Sequence, residues 1–133
     1  MNGLWEALWS LSEPGQLLRD EPMSRHTTFR IGGPADMMFF PAMEQQLQLA
    51  IKLAGDYHIP CTVIGNGSNL IVRDGGVIGL VVVLGERFSH ISIEDGVLTA
   101  EAGATLSRVA AEAQRAGLSG LEFASGIPGT LGG

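Results

Sequence analysis

Hydrophobic residues recur at helical spacing at the start of the chain. This pattern predicts an amphipathic helix over residues 4–11. The stripe consists of Leu4, Leu8 and Leu11, with Trp5 and Trp9 beside it. Pro14-Gly15 interrupts the pattern, and we expect Gln16 to Arg19 to add one further helical turn.

The next part of the pattern predicts a strand, a helix and a second strand. Ala35 to Phe40 is a strand ended by Pro41, and Cys61 to Ile64 is a short buried strand. Between them, Glu44 to Tyr57 carries apolar residues at positions i, i+3, i+4 and i+7, which is typical of a helix that packs one face on a core. Those residues are Leu47, Ala50, Ile51 and Ala54. This order implies a right-handed crossover between parallel strands.

The second half of the chain predicts a strand, a hairpin and a helix. Val77 to Leu84 is a strand with both faces buried. Two alternating runs, Phe88 to Ile93 and Val97 to Glu101, flank Glu94-Asp95-Gly96 and predict a β-hairpin. A helix with one apolar face comes next, for which Thr105 is the expected N-cap and Gly117 the stop. The apolar face consists of Leu106, Val109, Ala110 and Ala113.

A glycine-rich segment, Ile64 to Leu70, leaves the second predicted strand. Gly65 and Gly67 lack the Cβ atoms that would keep a ligand away from the backbone, so successive N–H groups can surround an anion. Ser68 and Asn69 add side-chain donors. Because open α/β sheets bind ligands at the carboxyl ends of their strands, we expect a phosphate or diphosphate here. A tight turn without a ligand is the alternative.

Three well-known site motifs are absent from this segment. The chain lacks Gly-x-x-x-x-Gly-Lys-Ser/Thr, which excludes the nucleoside triphosphate loop. Leu70 stands where the dinucleotide fingerprint needs its third glycine. A hydrolase elbow around Ser68 would need glycine where Asn66 and Leu70 stand. Ser68 is therefore expected to donate to a phosphate rather than to act as a nucleophile.

Composition excludes several partners and sites. The 133 residues carry a net charge of −6 without a run of Lys or Arg, which disfavours nucleic acid and acidic membranes as partners. The longest apolar run, Val77 to Leu84, is too short to span a bilayer. Cys61 is the only cysteine, which rules out an internal disulfide and suits a reducing compartment. His58 and Cys61 lack a second pair of metal ligands, so no metal site is expected. We expect a cytoplasmic protein.

Other titratable side chains carry weaker signals. His26 is the most interesting histidine, although a loop histidine bonded to backbone is the simpler interpretation. No second carboxylate is spaced to form an acid–base pair with Glu101 or Glu122, so both are expected at the surface or as caps. Arg30 and Arg73 are expected to pair with carboxylates or to lean toward a phosphate.

A second glycine-rich segment, Ser125 to Gly133, ends the chain. Pro128 fixes its path, and we expect it to offer many unshielded backbone N–H groups. Two such loops in one small α/β domain suit one long ligand that carries a diphosphate, such as a flavin dinucleotide. Because the chain stops inside this segment without a polar tail, we expect a fragment, or a truncated gene, of a longer protein.

Four blocks of the sequence resemble, in order, those of the UDP-N-acetylenolpyruvoylglucosamine reductase family. The first block is MSRHTTFRIGGPAD, from Met23 to Asp36, and the second is GNGSNLIVRDGG, from Gly65 to Gly76. The third is EAGA, from Glu101 to Ala104, and the fourth is GLSGLEFASGIPGT, from Gly117 to Thr130. Each block alone is weak, but four in family order are specific.

The resemblance implies a fold and a domain organisation. The fold class is α+β (α/β), a truncated two-lobed FAD-binding domain of the vanillyl-alcohol-oxidase type with FAD between the lobes. We expect residues 1–22 to form an N-terminal helical segment and residues 23–133 the FAD-binding domain. The first lobe is expected over residues 23–84 and the second from residue 85 onward, incomplete at its C-terminus.

The resemblance also implies a reaction. NADPH reduces the flavin, hydride passes to the enolpyruvyl double bond of a UDP-sugar, and a serine protonates the product, UDP-N-acetylmuramate, for peptidoglycan synthesis. The family's catalytic arginine, serine and acidic residue, and its substrate domain, match nothing in this chain, so no catalytic residue is expected here. The alternatives are another FAD-dependent oxidoreductase with the same cradle and a non-catalytic nucleotide-binding module.

The resemblance places the cofactor-binding residues in the two glycine-rich segments. The first segment is expected to hold the diphosphate of FAD and the second to line its flavin side. The implied residues are Ile64, Gly65, Asn66, Gly67, Ser68, Asn69, Leu70, Ser125, Gly126, Ile127, Pro128, Gly129, Thr130, Gly132 and Gly133.

Overall fold

The computed structural model describes all 133 residues and contains three α-helices and six strands. The helices are α1 (Asn2–Ser10), α2 (Glu44–Asp56) and α3 (Leu106–Arg115). The strands are β1 (Leu17–Pro22), β2 (Pro34–Phe39), β3 (Cys61–Ile64), β4 (Val77–Val83), β5 (Ile91–Glu94) and β6 (Val97–Ala100). No helix is long and apolar enough to cross a bilayer.

Strands β1 to β4 form one sheet in the order β1-β2-β4-β3. Strand β4 pairs in parallel with both β2 and β3, so the predicted strand–helix–strand unit is present, with β4 inserted between its two strands. Strand β1 pairs antiparallel to β2, with Leu17 opposite Phe39. The helical turn predicted for residues 16–19 is therefore wrong. This short segment has no helical stripe of its own, and pairing with β2 satisfies its backbone instead.

Both faces of this sheet are covered by apolar side chains. Alternate residues of β4 point to opposite faces, as the period of a strand requires. Leu80 and Val82 pack with α1 and α2, whereas Val81 and Val83 pack with Met23 and Val72 on the other face. The predicted burial of both faces is thus confirmed for residues 80–83, but Ile78 near the start of β4 is exposed.

Strand β3 and helix α2 differ from prediction in what they bury. Strand β3 was expected to be buried, yet Cys61, Thr62 and Val63 are exposed. The reason is its position at the sheet edge, where β4 is its one neighbour. In α2 the predicted Ile51 is exposed, and Gln46 is buried with Ala50 and Ala54 instead.

The buried glutamine of α2 is part of a polar connection between the first elements. Gln16 and Gln46 hydrogen-bond each other through their side-chain amides, with N···O distances of 3.0 and 3.2 Å. Gln46 Nε2 also donates to the carbonyl of Leu11 just after α1, and Gln16 Nε2 donates to the carbonyl of Phe40 just after β2. Because all these groups are paired, burial of the two amides is compatible with a stable core.

The hairpin and α3 form where local signals predict them, except that the first hairpin strand begins at Ile91 rather than at Phe88, which lies in a short 3-10 helix. The hairpin β5–β6 turns at Asp95 and Gly96, both at positive φ, which matches the twist of paired strands. The Thr105 hydroxyl accepts a hydrogen bond from the Arg108 N–H and caps α3. Gly117, at φ +73°, donates to Gln114 O and so ends the helix.

The domain boundaries stay predictions. Leu4 and Leu8 of α1 share one core with Leu17, Phe39 and Leu80, so α1 packs directly against the four-stranded sheet, of which residues 17–22 form strand β1. The proposed lobe boundary near residue 85 lies between the four-stranded sheet and the separate hairpin β5–β6.

A β-bulge in β4 shifts its register against β2, and the role of the glycine in this bulge can be tested by substitution. Gly79 adopts φ +94° and donates its N–H to the Asp36 carboxylate at 2.8 Å. A Cβ atom here would collide with the carbonyl oxygen of Pro60. We expect Gly79→Ala to lower the free energy of unfolding by about 2 kcal/mol, measured by urea titration monitored by circular dichroism.

Gly55 provides the matched control for that substitution. It is exposed in α2, and a Cβ atom there would meet nothing within 4 Å. Gly55→Ala should raise the free energy of unfolding by ~0.5–1 kcal/mol. Equal effects of the two substitutions would contradict the role assigned to the bulge.

Candidate functional site

The segment 64–70 leaves the carboxyl end of β3 and lies beside the end of β4. Ile64 pairs with Val83, the last residue of β4, and accepts a hydrogen bond from the N–H of Leu84. The glycine-rich loop therefore begins where two neighbouring parallel strands end together. This is the position at which open α/β sheets bind ligands.

The backbone of this loop presents unpaired donors. None of the main-chain N–H groups of residues 65–70 donates a hydrogen bond to a main-chain oxygen of the chain. Gly67 is buried and Gly65, Ser68 and Leu70 are half-buried, whereas Asn66 and Asn69 are exposed. Buried or half-buried donors are normally paired, so a run of free ones is suited to an external acceptor.

At both loop glycines, neighbouring protein atoms fill the position that a Cβ atom would take. A Cβ atom on Gly67, which adopts φ +70°, would collide with the carbonyl oxygen of His26. A Cβ atom on Gly65 would collide with the hydroxyl of Thr130. We expected the missing Cβ atoms to leave room for the ligand. This expectation is wrong, because the space on that side of each glycine is occupied by the protein itself. The glycines let neighbouring segments pack against the loop and hold its N–H groups in place.

One of those neighbouring segments, residues 23–33, was largely missed by sequence reasoning as part of the site. Thr28 donates its N–H to Gly67 O at 3.1 Å, and Met23 donates to Gly33 O at 2.9 Å. His26 Nε2 lies 2.9 Å from Glu21 Oε1, so its ring bonds a carboxylate rather than backbone. One sequence signal could have indicated that this segment belongs to the site: it lies within the first block that resembles the reductase family, Met23 to Asp36.

The second glycine-rich segment uses more of its N–H groups internally than expected. Leu131 donates to Ala104 O at 2.8 Å and Gly132 donates to Ala102 O at 2.9 Å. Ile127 and Gly133 also donate within the chain, whereas Gly129 and Thr130 donate to no main-chain oxygen. The prediction of many unshielded N–H groups is therefore wrong here. This segment is fastened to residues 102–106 and offers few donors.

Two clefts meet where the two glycine-rich segments touch. The larger has a volume of about 820 Å³ and lies between residues 24–30, the end of β4 and residues 103–105. The smaller, of about 570 Å³, lies between residues 64–70 and 127–133. Gly65, Asn66 and Thr130 line both clefts. These three residues therefore form a seam at which one elongated ligand can pass from one cleft to the other.

The clefts include most, but not all, of the predicted cofactor-binding residues. Every residue from Ile64 to Leu70 lines the smaller cleft, as do five from the second segment. Those five are Ile127, Pro128, Gly129, Thr130 and Gly133. Ser125 instead lines a separate cleft beside α3, and Gly126 and Gly132 line neither of the two clefts. Contact of these residues with a cofactor stays a prediction.

Charged side chains are sparse around the seam. Arg25, His26 and Arg30 line the larger cleft, and so does Glu86. Arg25 Nη1 lies 3.7 Å from Glu21 Oε2 and forms an ion pair with it, whereas Arg30 is in no ion pair. With only this small excess of positive charge, main-chain dipoles must supply much of any attraction for an anion.

The remaining sequence candidates have structural roles or no partner. Glu101 accepts a hydrogen bond from the N–H of His90, and Glu122 accepts one from the N–H of Gly120, as expected of surface or capping residues. Arg73 is in no ion pair and lines neither cleft. No cluster of three or more metal-ligating side chains is present.

Comparison with known proteins identifies the family to which this arrangement belongs. The profile described as "FAD binding domain" matches residues 35–133, about three quarters of the chain. The chain belongs to this FAD-binding domain family. The match includes both glycine-rich segments and the whole seam.

Individual relatives give a more specific comparison than the family profile does. The chain is 48% identical over 129 residues to the UDP-N-acetylenolpyruvoylglucosamine reductase of Alkaliphilus oremlandii, covering 97% of this chain and 42% of that protein. It is 53% identical over 119 residues to the same reductase of Heliobacterium modesticaldum, covering 90% of this chain and 38% of that protein. The chain thus spans about two fifths of the length of these relatives.

Solved structures support the fold. The crystal structure of UDP-N-acetylenolpyruvylglucosamine reductase from Thermus caldophilus matches with a TM-score of 0.67 and 35% identity, covering 88% of this chain and 39% of that chain. An alkyldihydroxyacetonephosphate synthase matches with a TM-score of 0.74 over the whole chain and 29% of its own, at 20% identity, which shows the fold alone. The predicted α+β FAD-binding fold of the vanillyl-alcohol-oxidase type is confirmed.

The residues at the seam fit FAD. The diphosphate of a dinucleotide is an acceptor-only group, and the loop offers it the unpaired N–H groups of residues 65–70. The two clefts extend on either side of the seam, as the two halves of a dinucleotide require. FAD is therefore the cofactor for which the site is built.

The close packing at Gly67 generates a prediction about this loop. We expect Gly67→Ala to lower the free energy of unfolding by at least about 1 kcal/mol because of its positive φ and the collision with His26. The same change should weaken FAD binding about tenfold or more, because loss of the loop conformation removes two or more N–H donors. Urea unfolding and quenching of flavin fluorescence measure the two effects.

Gly75 is the control for this loop substitution. It lies in the next turn of the chain, and a Cβ atom there would meet nothing within 4 Å. Gly75→Ala should leave both measurements near those of the unsubstituted chain. Unchanged FAD binding in Gly67→Ala would show that the loop conformation is not needed for the cofactor.

The single cysteine lies away from the seam and has a raised pKa. Partial burial of its thiol raises the pKa of Cys61, so the thiolate fraction at neutral pH is below that of a free cysteine. We expect a disulfide reagent to react more slowly with the folded chain at pH 7 than with the same chain in urea. The rate for the folded chain should rise steeply as the pH is increased above 8. Equal rates at pH 7 would contradict this protection.

Proposed function

We propose that this chain is the FAD-binding part of a reductase that acts on UDP-N-acetylglucosamine enolpyruvate. The electron donor is NADPH, the cofactor is FAD and the product is UDP-N-acetylmuramate. The observation that carries the proposal is the run of unpaired N–H groups over residues 65–70 at the seam of two clefts. The identity of 48–53% to reductases of this name supports the choice of substrate.

The residues of this chain bind and orient the cofactor. The loop after β3 contributes N–H groups that stabilise the negative charge of the diphosphate without a cluster of Lys or Arg. The second segment, fastened to residues 102–106, closes the opposite side. The two lobes, residues 23–84 and residues from 85 onward, hold FAD between them.

The chemistry that FAD supplies when bound is hydride transfer. The resemblance assigns the catalytic arginine, the serine proton donor and the acidic residue to parts of the family with no counterpart in this chain. We therefore propose that the chain has no catalytic residue of its own and is inactive toward the UDP-sugar by itself. In the whole enzyme its function is to position the reactive ring of the cofactor.

The proposed reaction places the protein in peptidoglycan synthesis. UDP-N-acetylmuramate is a cell-wall precursor, so the biological roles are cell-wall biogenesis, cell shape and cell division. The location is the cytoplasm, where NADPH and nucleotide sugars occur. Neither a nucleic acid nor a membrane is a partner.

Binding of FAD to this chain is the first test. We expect the purified chain to quench flavin fluorescence and to bind FAD more tightly than riboflavin, because riboflavin lacks the diphosphate that the loop recognises. Titration with ADP distinguishes an FAD-binding part of an enzyme from a nucleotide-binding module without catalytic function. A chain that binds ADP but not FAD would be a non-catalytic nucleotide-binding module.

The substrate is tested in the full-length protein that contains this chain. We expect NADPH oxidation that depends on UDP-N-acetylglucosamine enolpyruvate, measured at 340 nm, and no turnover by the 133-residue chain alone. Turnover of an alcohol substrate without turnover of the UDP-sugar would favour another flavin oxidoreductase with the same cradle.

A further inference from the structure

The chain contains three asparagines, and Asn66 differs from the other two in its surroundings. Asn66 is exposed, lies outside every helix and strand, and lines both clefts. The next residue is Gly67, which carries no side chain beside its main-chain nitrogen. Asn69 is exposed in the same loop but precedes the branched Leu70. Asn66 is therefore the loop asparagine whose side chain the following main-chain nitrogen reaches with the least obstruction.

The third asparagine, Asn2, also precedes a glycine but lies in regular structure. It is the first residue of α1, and Gly3 lies against the ring of Tyr57. A reaction between the Asn2 side chain and the nitrogen of Gly3 requires the first turn of α1 to open, which costs free energy. Asn2 lines neither cleft, so it provides an internal comparison away from the seam.

The main chain at Gly67 leaves its N–H group available. Gly67 O accepts a hydrogen bond from Thr28 N–H at 3.1 Å, whereas Gly67 N–H donates to no main-chain oxygen. An N–H group in a helix or a strand ladder must break its hydrogen bond before its nitrogen can react, and this adds the cost of local opening. No such bond has to break at Gly67. The exposure of Asn66 also gives water access to any product formed there.

We propose that Asn66 is a site of spontaneous deamidation, a covalent modification that the glycine-rich loop undergoes without an enzyme. The nitrogen of Gly67 bonds to Cγ of Asn66, the bond from Cγ to the side-chain nitrogen breaks, and that nitrogen leaves as ammonia with the Gly67 proton. Water then opens the resulting succinimide ring. Opening at Cγ gives aspartate, and opening at the main-chain carbonyl gives isoaspartate, in which the main chain continues through Cγ.

The modification changes both the charge and the main-chain length of the loop. Either product puts a carboxylate among the N–H groups of residues 65–70, where it repels a diphosphate. Isoaspartate also adds a carbon to the main chain next to Gly67, which is packed against His26. Bound FAD suppresses the reaction, because it engages the loop N–H groups and covers Asn66. The part of the inference that concerns FAD rests on the proposed function, whereas the modification itself does not.

Mass spectrometry of the chain, incubated without cofactor at mildly alkaline pH, tests the modification. Trypsin releases residues 53–73 as one peptide, and fragmentation of this peptide assigns the mass gain to Asn66 or to Asn69. We expect Asn66 to convert at least about tenfold faster than Asn69, the ratio that a barrier difference of about 1.4 kcal/mol gives. An unmodified Asn66, or equal rates at the two asparagines, would overturn the proposal.

The same incubation with FAD tests the protection. At an FAD concentration of about ten times the dissociation constant, the rate at Asn66 should fall to about one tenth, which is the fraction of the chain left without cofactor. The rate at Asn2 should not change. An unchanged rate at Asn66 in a chain saturated with FAD would overturn the protection and leave the proposed function intact. Conversion of Asn66 in a chain that does not bind FAD would support the modification and overturn the proposed function.

Two substitutions separate the added charge from the passage of time. Asn66→Asp carries the carboxylate from the start and should bind FAD at least about tenfold more weakly than the fresh unsubstituted chain. Asn66→Gln cannot form the five-membered ring, so its affinity for FAD should keep its own starting value while the unsubstituted chain loses affinity as Asn66 converts. Full affinity in a converted chain, or a parallel loss in Asn66→Gln, would overturn the effect assigned to this carboxylate.

Discussion

Close approach of backbone to backbone, at positions where a Cβ atom does not fit, is the constraint on which this structure depends. Gly67 meets the carbonyl of His26, and Gly33 meets the carbonyl of Asp74. Gly103 meets the carbonyls of Gly85 and Phe88 in the second half of the chain. Segments that are distant in sequence thereby pack their main chains directly together. The loops around the seam are held by this packing rather than by large apolar side chains.

The same constraint explains how a site with few charges can bind an anionic cofactor. Loops fastened by glycine contacts keep consecutive N–H groups oriented without internal acceptors, as residues 65–70 show. Such preorganised dipoles attract a diphosphate at no further cost in loop ordering when the ligand arrives. The acidic net charge of −6 is therefore compatible with binding FAD, because the attraction is local to the seam.

The two halves of the chain contribute differently to this arrangement. The sheet with α1 and α2 has two apolar cores and a fully paired glutamine connection, so it provides a rigid base for the first loop. The second segment is attached to residues 102–106, between the hairpin and α3, through main-chain hydrogen bonds. Thr130 joins the two by packing on Gly65.

Local sequence signals alone determined the helices, the hairpin turn at Asp95-Gly96, the caps at Thr105 and Gly117, and the glycine loop after β3. They did so because spacing, capping and positive φ are properties of neighbouring residues. Only the tertiary structure decided that residues 17–22 form a strand, that β3 lies at an edge, and that the second loop uses its N–H groups internally. It also decided that Gly65 and Gly67 face Thr130 and His26 rather than a ligand. Each of these depends on which distant segment lies alongside, and neither hydrophobic period nor local propensity carries that information.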